Sequence, residues 1–361
     1  LSLKNLKQKT YFFSAWQTAK THHFSAGADF LLCETVYDFV DGQMKKQEAQ
    51  PFVSLEKFRE NEKADRYREK ALTLFALEQE LEEGPKIFFW SPLFAQICLP
   101  HRKVNGTIWE VESQKYALRI SSGFELPYGC FPRLLLSYIT TQIIKTDSPI
   151  ISLGKNQNQF FEMLGLEKDG RTIRRFNQQA LNLFRSMIEI EIKPEAGISD
   201  SNRRRGNLFD WIHISDRCVF WENIEATHKK TWLGELQVSS KFFDFVKSKG
   251  GIPFNFHRYA SLTKSSMAMD LYIWLPYRLF ILQQQRHYSV SLQFPLLQKQ
   301  FDPNSSLSVR DFKIKFLNCL SMVMPHYTDF YDNVKLSEDG KHLVLTKPKK
   351  SVEAILKKDD E

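Results

Sequence analysis

Two helix-length stretches of this chain carry the same apolar pattern, 136 positions apart. In Thr172 to Met187 the apolar points are Ile173, Phe176, Ala180, Leu181, Phe184 and Met187. In Ser308 to Met324 they are Val309, Phe312, Phe316, Leu317, Leu320 and Val323. Steps of three and four place each set on one side of a helix. The segments Phe-Asn-Gln-Gln-Ala-Leu-Asn-Leu-Phe and Phe-Lys-Ile-Lys-Phe-Leu-Asn-Cys-Leu also share Phe, Leu and Asn at matching places. An internal duplication accounts for this, and it constrains the chain to two related modules.

The surroundings of each stretch predict the same order of elements. In the first unit these are a helix over 127–144, a strand over 150–153, a helix over 156–164 and a tight turn over 165–170. The repeated helix follows, then alternating segments over 188–193 and 208–214 around a polar loop. The second unit has a helix over 265–284, a strand over 288–292, a helix over 295–301 and a turn over 302–307. After its repeated helix comes a hairpin of 333–336 and 342–346 turning on Asp339-Gly340. This order describes a winged helix. The expected fold class is α+β, mainly helical, with two tandem winged-helix domains and a helical N-terminal extension. The expected boundaries are 1–86 for the extension, 87–249 and 252–348 for the two domains, and 349–361 for a charged tail. Gly250-Gly251 supplies the linker. Within the extension, Ser54 to Glu83 reads as a long charged helix stopped by Gly84-Pro85, either solvated on the body or docked on a partner.

The outward side of the first repeated helix is where function concentrates. Arg171, Arg175, Gln178, Asn182 and Arg185 form a second stripe with no acid in it, and a solvated face would normally mix Glu with Lys. Arg, Gln and Asn are the types that pair bidentately with guanine and adenine edges. Lys155, Thr172, Arg174 and Gln179 extend this candidate DNA-binding surface. Arg203, Arg204 and Arg205 read either as a solubilising loop tip or as the tip of a wing against the minor groove. In the second copy the matching positions are Leu307, Asp311, Ile314, Asn318 and Ser321, so its stripe is not basic. Ser308, Arg310, Lys313 and Lys315 are its candidate phosphate contacts, which implies that the first helix reads bases while the second grips backbone.

Charge agrees in direction. Residues 1–123 hold 17 Lys/Arg against 16 Asp/Glu, and residues 124–361 hold 33 against 26, so +7 of the net charge of +8 lies with the duplicated units. Taken alone, that balance is weak evidence for a nucleic-acid partner.

Other chemistries find little support. The segment Gly165 to Thr172 approaches a phosphate-binding loop, but it lacks the Lys and follows a helix where a strand is required. The adjacent His22 and His23 do not make the paired-His metal site that strand nicking needs. Asp329 and Asp332 beside Tyr331 read as turn residues. The five scattered Cys read as thiols in a reducing compartment. The expectation is no catalytic residue, no metal and no cofactor. Leu271 to Leu282 is too short and too interrupted for a membrane span of roughly 20 residues. A chain opening on Leu1 without a signal-like run is expected to come from inside a longer, cytoplasmic reading frame.

Several segments resemble the plasmid-encoded RepA-type replication initiators. They are Pro100-His101-Arg102, the run from Leu126-Pro127-Tyr128-Gly129 through Arg133 to Leu136, Phe160 to Leu166, Met269-Asp270-Leu271-Tyr272-Ile273-Trp274 through Arg278, and Arg310 to Leu317. The resemblance covers roughly residues 90–348. It implies an initiator that binds repeated double-stranded sites at an origin, opens the neighbouring duplex and recruits the host initiator and replicative helicase. It further implies a homodimer that represses its own promoter. A plasmid repressor that never initiates would share every DNA-binding feature. A primase or nickase would need a carboxylate cluster that the sequence supports only weakly.

Overall fold

The structure is a computed structural model. It describes residues 86–112, 116–154, 156–192, 208–219 and 234–352, together with the backbone of short strands at 38–40, 43–45 and 53–54. The first two short strands, β1 (Asp38–Val40) and β2 (Gln43–Lys45), form a hairpin of their own. Except for Ser54, the expected charged helix lies outside the described residues. Ser54 itself ends β3 (Val53–Ser54), which pairs with β14 (Val334–Leu336).

The architecture is mixed, with helices against several small antiparallel sheets. After β4 (Ile87–Trp90), α1 (Pro92–Gln96), β5 (Ile108–Glu112) and β6 (Tyr116–Ser121) comes α2 (Cys130–Thr146). Then follow β7 (Ile150–Ser152), α3 (Gln157–Met163), α4 (Gly170–Phe184), β8 (Met187–Ile192) and β9 (Leu208–His213). The chain continues through β10 (Ser215–Val219), β11 (Glu235–Val238), α5 (Ser240–Lys249), β12 (Ile252–Asn255) and α6 (Phe256–Ser261). It ends with α7 (Ser266–Gln284), β13 (Ser289–Gln293), α8 (Phe294–Phe301), α9 (Val309–Val323), β14 and β15 (His342–Thr346). Helix, strand, helix and helix therefore recur in the same order, from α2 to α4 and from α7 to α9.

The repeated helices bury matching sides. Phe176, Ala180 and Phe184 are buried on α4, as are Phe312, Phe316 and Leu320 on α9. Each seats an aromatic on the short helix before it. Phe176 meets Phe160 and Phe161 edge-on at 5.9 and 5.1 Å, and Phe316 meets Phe294 and Phe301 at 6.1 and 5.6 Å. Such pairs add about 0.5–1.5 kcal/mol beyond their buried area. The helix starts differ in the shared register, because Asp169 caps α4 while Ser308 caps α9.

The sheets diverge more than the helices. In the second unit β13, β15 and β14 lie side by side, as the expected hairpin requires. In the first, the hairpin of β8 and β9 forms as expected but joins β5 and β6 in a four-stranded sheet. The strand beside β7 is β11, far downstream. Strand partners depend on which edges meet in space, a contact that local alternation does not encode.

Gly250-Gly251 is a packed junction rather than a loose linker. Gly250 ends α5 with φ at +68°, and a Cβ on Gly251 would lie 2.5 Å from Ile144 and 2.8 Å from Phe89. The next strand, β12, pairs with β4, so residues on both sides of the glycines share one sheet. Deep in the molecule, α7 is buried on nearly every side despite Pro276 in its interior. That accounts for its apolar sequence without a membrane. No helix among the described residues is long and apolar enough to cross one.

Candidate nucleic-acid interface

Asp169 sets the start of α4. Its carboxylate accepts hydrogen bonds from the backbone N–H of Arg171 at 2.8 Å and Thr172 at 3.1 Å, satisfying two donors at the helix start. Hydrogen bonds from Thr172 and Arg171 hold its carboxyl below the usual carboxylate range. Thr172, a candidate DNA contact by sequence, is therefore engaged as a cap partner.

Exposure sorts the predicted stripe. Arg171, Arg174, Arg175, Gln178 and Arg185 are exposed, and all but Arg185 lie within the first nine residues of the helix. Asn182 and Gln179 are not free to read bases. Asn182 is fully buried, its Oδ1 accepts from Gln178 Nε2 at 2.9 Å, and its backbone carbonyl accepts from the Ser186 hydroxyl. Gln179 is also buried, and its Oε1 accepts from the Tyr128 N–H at 2.7 Å. Helical spacing places both near the stripe, but Gln179 is held by the segment laid over that flank and Asn182 is buried within the fold. Lys155, Arg203, Arg204 and Arg205 lie outside the described residues.

The covering segment runs antiparallel to α4 and is tied to it three times. The Arg175 guanidinium lies 5.6 Å over the Phe131 ring, Gln179 holds Tyr128, and the Arg185 guanidinium lies 4.5 Å over the Phe124 ring. Stacking on rings pre-organises the two arginines on the exposed side.

The second copy is arranged otherwise. Ser308 caps α9, accepting from the Asp311 N–H and donating to the Asp311 carboxylate at 2.7 Å. Lys313 Nζ donates to the Gly340 carbonyl at 2.5 Å and sits over the Phe294 ring. Lys315 Nζ pairs with the buried Asp302 at 2.9 Å. Three of the four predicted phosphate contacts are thus held within the protein. Arg310 is exposed, beside Val309 and Ile314, which are 43% and 41% exposed.

A buried ionic cluster joins the two halves, and the sequence reading did not single it out. Arg133, fully buried on α2, donates through Nε to Asp270 Oδ1 at 2.7 Å and through a terminal nitrogen to Oδ2 at 2.6 Å. It also donates to the carbonyls of Leu99, Pro100 and Gly129. His101 bonds Asp270 Oδ2 at 2.7 Å. Burial raises the Asp270 carboxyl, but the charge of Arg133 and the bonds from His101 and Arg133 outweigh it, so the group stays below its usual range. Burial pushes His101 down, against the pull of Asp270, so the neutral ring donates from Nε2. A charged residue inside each apolar run, Phe-Pro-Arg-Leu-Leu-Leu and Ala-Met-Asp-Leu-Tyr-Ile, is the signal that would have revealed this pair.

Cys98 lies close enough to His101 and Asp270 to complete a three-ligand set. The residues do not suit a cation. Both Asp270 oxygens are bonded to the Arg133 guanidinium, and the Cys98 thiol donates to backbone carbonyls of Gln300 and Phe301 at 3.1 and 3.3 Å. Burial also raises the thiol well above its usual range, against metal binding as thiolate. The carboxylate pair considered near Tyr331 lies in 3₁₀ turns, with Asp329 paired to Lys350 at 3.3 Å.

Residues 126–293 match the family model described as plasmid encoded RepA protein. Among solved structures, the chain is similar to a selenomethionine derivative of domains 2 and 3 of RctB. That match has a TM-score of 0.45 and 11% identity, over 72% of this chain and 97% of the other. A second structure of RctB domains 2–3 matches with a TM-score of 0.42 and 11% identity, over 73% and 99%. No curated protein sequence matches the chain. The matched stretch holds α4 and both members of the Arg133–Asp270 pair.

Proposed function

We propose that this protein is a plasmid replication initiator that binds repeated double-stranded sites at an origin. The carrying observation is the exposed, acid-free face of Arg171, Arg174, Arg175 and Gln178 over the first nine residues of α4, inside the RepA-type segment. The helix order around α4 and α9 supports two tandem winged helices, with α4 entering a major groove by its N-terminal end. Arg171 and Arg174 would then meet phosphates, while Arg175 and Gln178 reach base edges. Since Lys313 and Lys315 are occupied, α9 contributes position more than charge. Opening of the neighbouring duplex, recruitment of a host initiator and helicase, and dimerisation belong to this proposal through the family alone.

Fluorescence anisotropy on an origin-repeat duplex and a scrambled duplex of equal length, across a salt series, tests the reading. A preference for the repeat that persists while both affinities fall with salt is the expected result. Equal affinities would leave only a non-specific basic surface and sink the proposal.

A further inference from the structure

Phe124 is a large aromatic left 59% exposed beside the basic end of α4. Its position is held rather than loose. The Phe124 N–H donates to the Ser122 hydroxyl at 3.1 Å, and the segment is anchored downstream by the Tyr128–Gln179 bond and by Gly129 N–H to the Pro100 carbonyl. The Arg185 guanidinium covers part of the ring from 4.5 Å, and the adjacent acid, Glu125, is paired with Lys103. The pair thus joins a stacking surface to a cation, along the line already occupied by Arg175 and Gln178.

We propose that Phe124 and Arg185 form a platform on which an unpaired nucleobase stacks, so that the surface around α4 holds single-stranded as well as duplex DNA. The inference rests on the reading of α4 as a DNA surface and adds a second substrate class to it. Bases in a duplex have both faces covered by their neighbours, and only an unstacked base offers a face to an exposed ring. Stacking of that kind tolerates any base, while an arginine beside it meets the backbone. The other aromatics with large exposure are worse placed. Trp211 donates to Glu189 at 3.2 Å on a strand face that also carries Glu110 and Glu191, where phosphate is repelled. Tyr288 is remote in sequence from α4, at the turn between α7 and β13.

The test uses the full chain with Phe124→Ala and Phe124→Trp, against an oligothymidine strand carrying one 2-aminopurine and against the origin-repeat duplex. Phe124→Ala is expected to weaken oligothymidine binding about ten-fold and to abolish quenching of the 2-aminopurine, with duplex affinity kept within about two-fold. Phe124→Trp, which retains a ring, is expected to restore both signals. Unchanged oligothymidine affinity in Phe124→Ala would overturn the platform, as would an equal loss on strand and duplex. Failure of the α4 reading shows separately, as no preference for the repeat duplex in the unsubstituted protein.

Discussion

α4 and α9 have nearly the same buried side and opposite exposed sides. Both seat a phenylalanine among aromatics of the preceding short helix. Outward, α4 presents arginines stacked on neighbouring rings, while α9 presents Val309, Ile314 and lysines already committed to Gly340 and Asp302. Packing constrains the inner face of a repeat in each copy, whereas nothing in the core restrains the outer face. The two helices are therefore alike where they meet the protein and differ on the sides they expose.

This comparison presumes that both helices hang on one body, and Arg133→Met is the strongest way to break it. The variant leaves the Asp270 carboxylate buried without its cation and should lower stability by about 3–5 kcal/mol in urea unfolding. Replacing Asp270 by Leu in the same chain should recover much of the loss. A small effect of the single variant would show that the two units do not depend on this pair.

Acid offers a second probe, aimed at the unit that holds α9. His326 lies just beyond that helix, and burial, helped by the charge of Arg258, holds its pKa at about 4. The folded chain stays unprotonated where the unfolded chain takes up a proton. The stabilisation is therefore intact above the unfolded value near 6.5 and is lost as pH falls through about 4. The total is about 3 kcal/mol. His101 is shifted in the same direction. Stability curves from pH 7 to 4 should fall in the unsubstituted protein and fall less steeply in His326→Phe, where His101 still contributes, and parallel curves would refute the assignment.

On DNA, Arg175→Ala should cost about 1–3 kcal/mol on a cognate repeat and relax base preference at one position. Equal loss on scrambled duplex would reduce Arg175 to a phosphate contact. The smallest effect is expected on the other helix. Lys315→Ala should leave repeat affinity unchanged and lower stability by about 1 kcal/mol, because Asp302 is buried and loses a hydrogen-bond partner. A drop in affinity without a drop in stability would restore Lys315 as a DNA contact and erase the contrast between the copies.

Much of this architecture is legible in the residues. Periodicity placed α2, α4, α7 and α9 to within a few residues, because a buried helical face needs apolar side chains at steps of three and four. The candidate site was only partly legible. The stripe is acid-free in the sequence, yet Gln179 is held by a segment some fifty residues upstream and Asn182 is buried, neither of which helical spacing reports. Tyr128 and Arg133 sit in the segments that carried the family resemblance, and Phe124 just before them. Their partners Gln179, Asp270 and Arg185 are 51, 137 and 61 positions away.

The sequence by itself determined the repeat, the hydrophobic sides of its helices and the chemical character of α4, since each follows from local spacing and side-chain type. The tertiary structure decided which polar groups are buried or committed and which stay exposed. It brought Arg133 to Asp270, gave β7 the distant β11 as neighbour, and committed Lys313 and Lys315 on α9 while leaving Arg171, Arg174 and Gln178 exposed on α4. A hydrogen bond or ion pair depends on atoms meeting within about 3 Å, and local periodicity carries no record of such encounters across the chain.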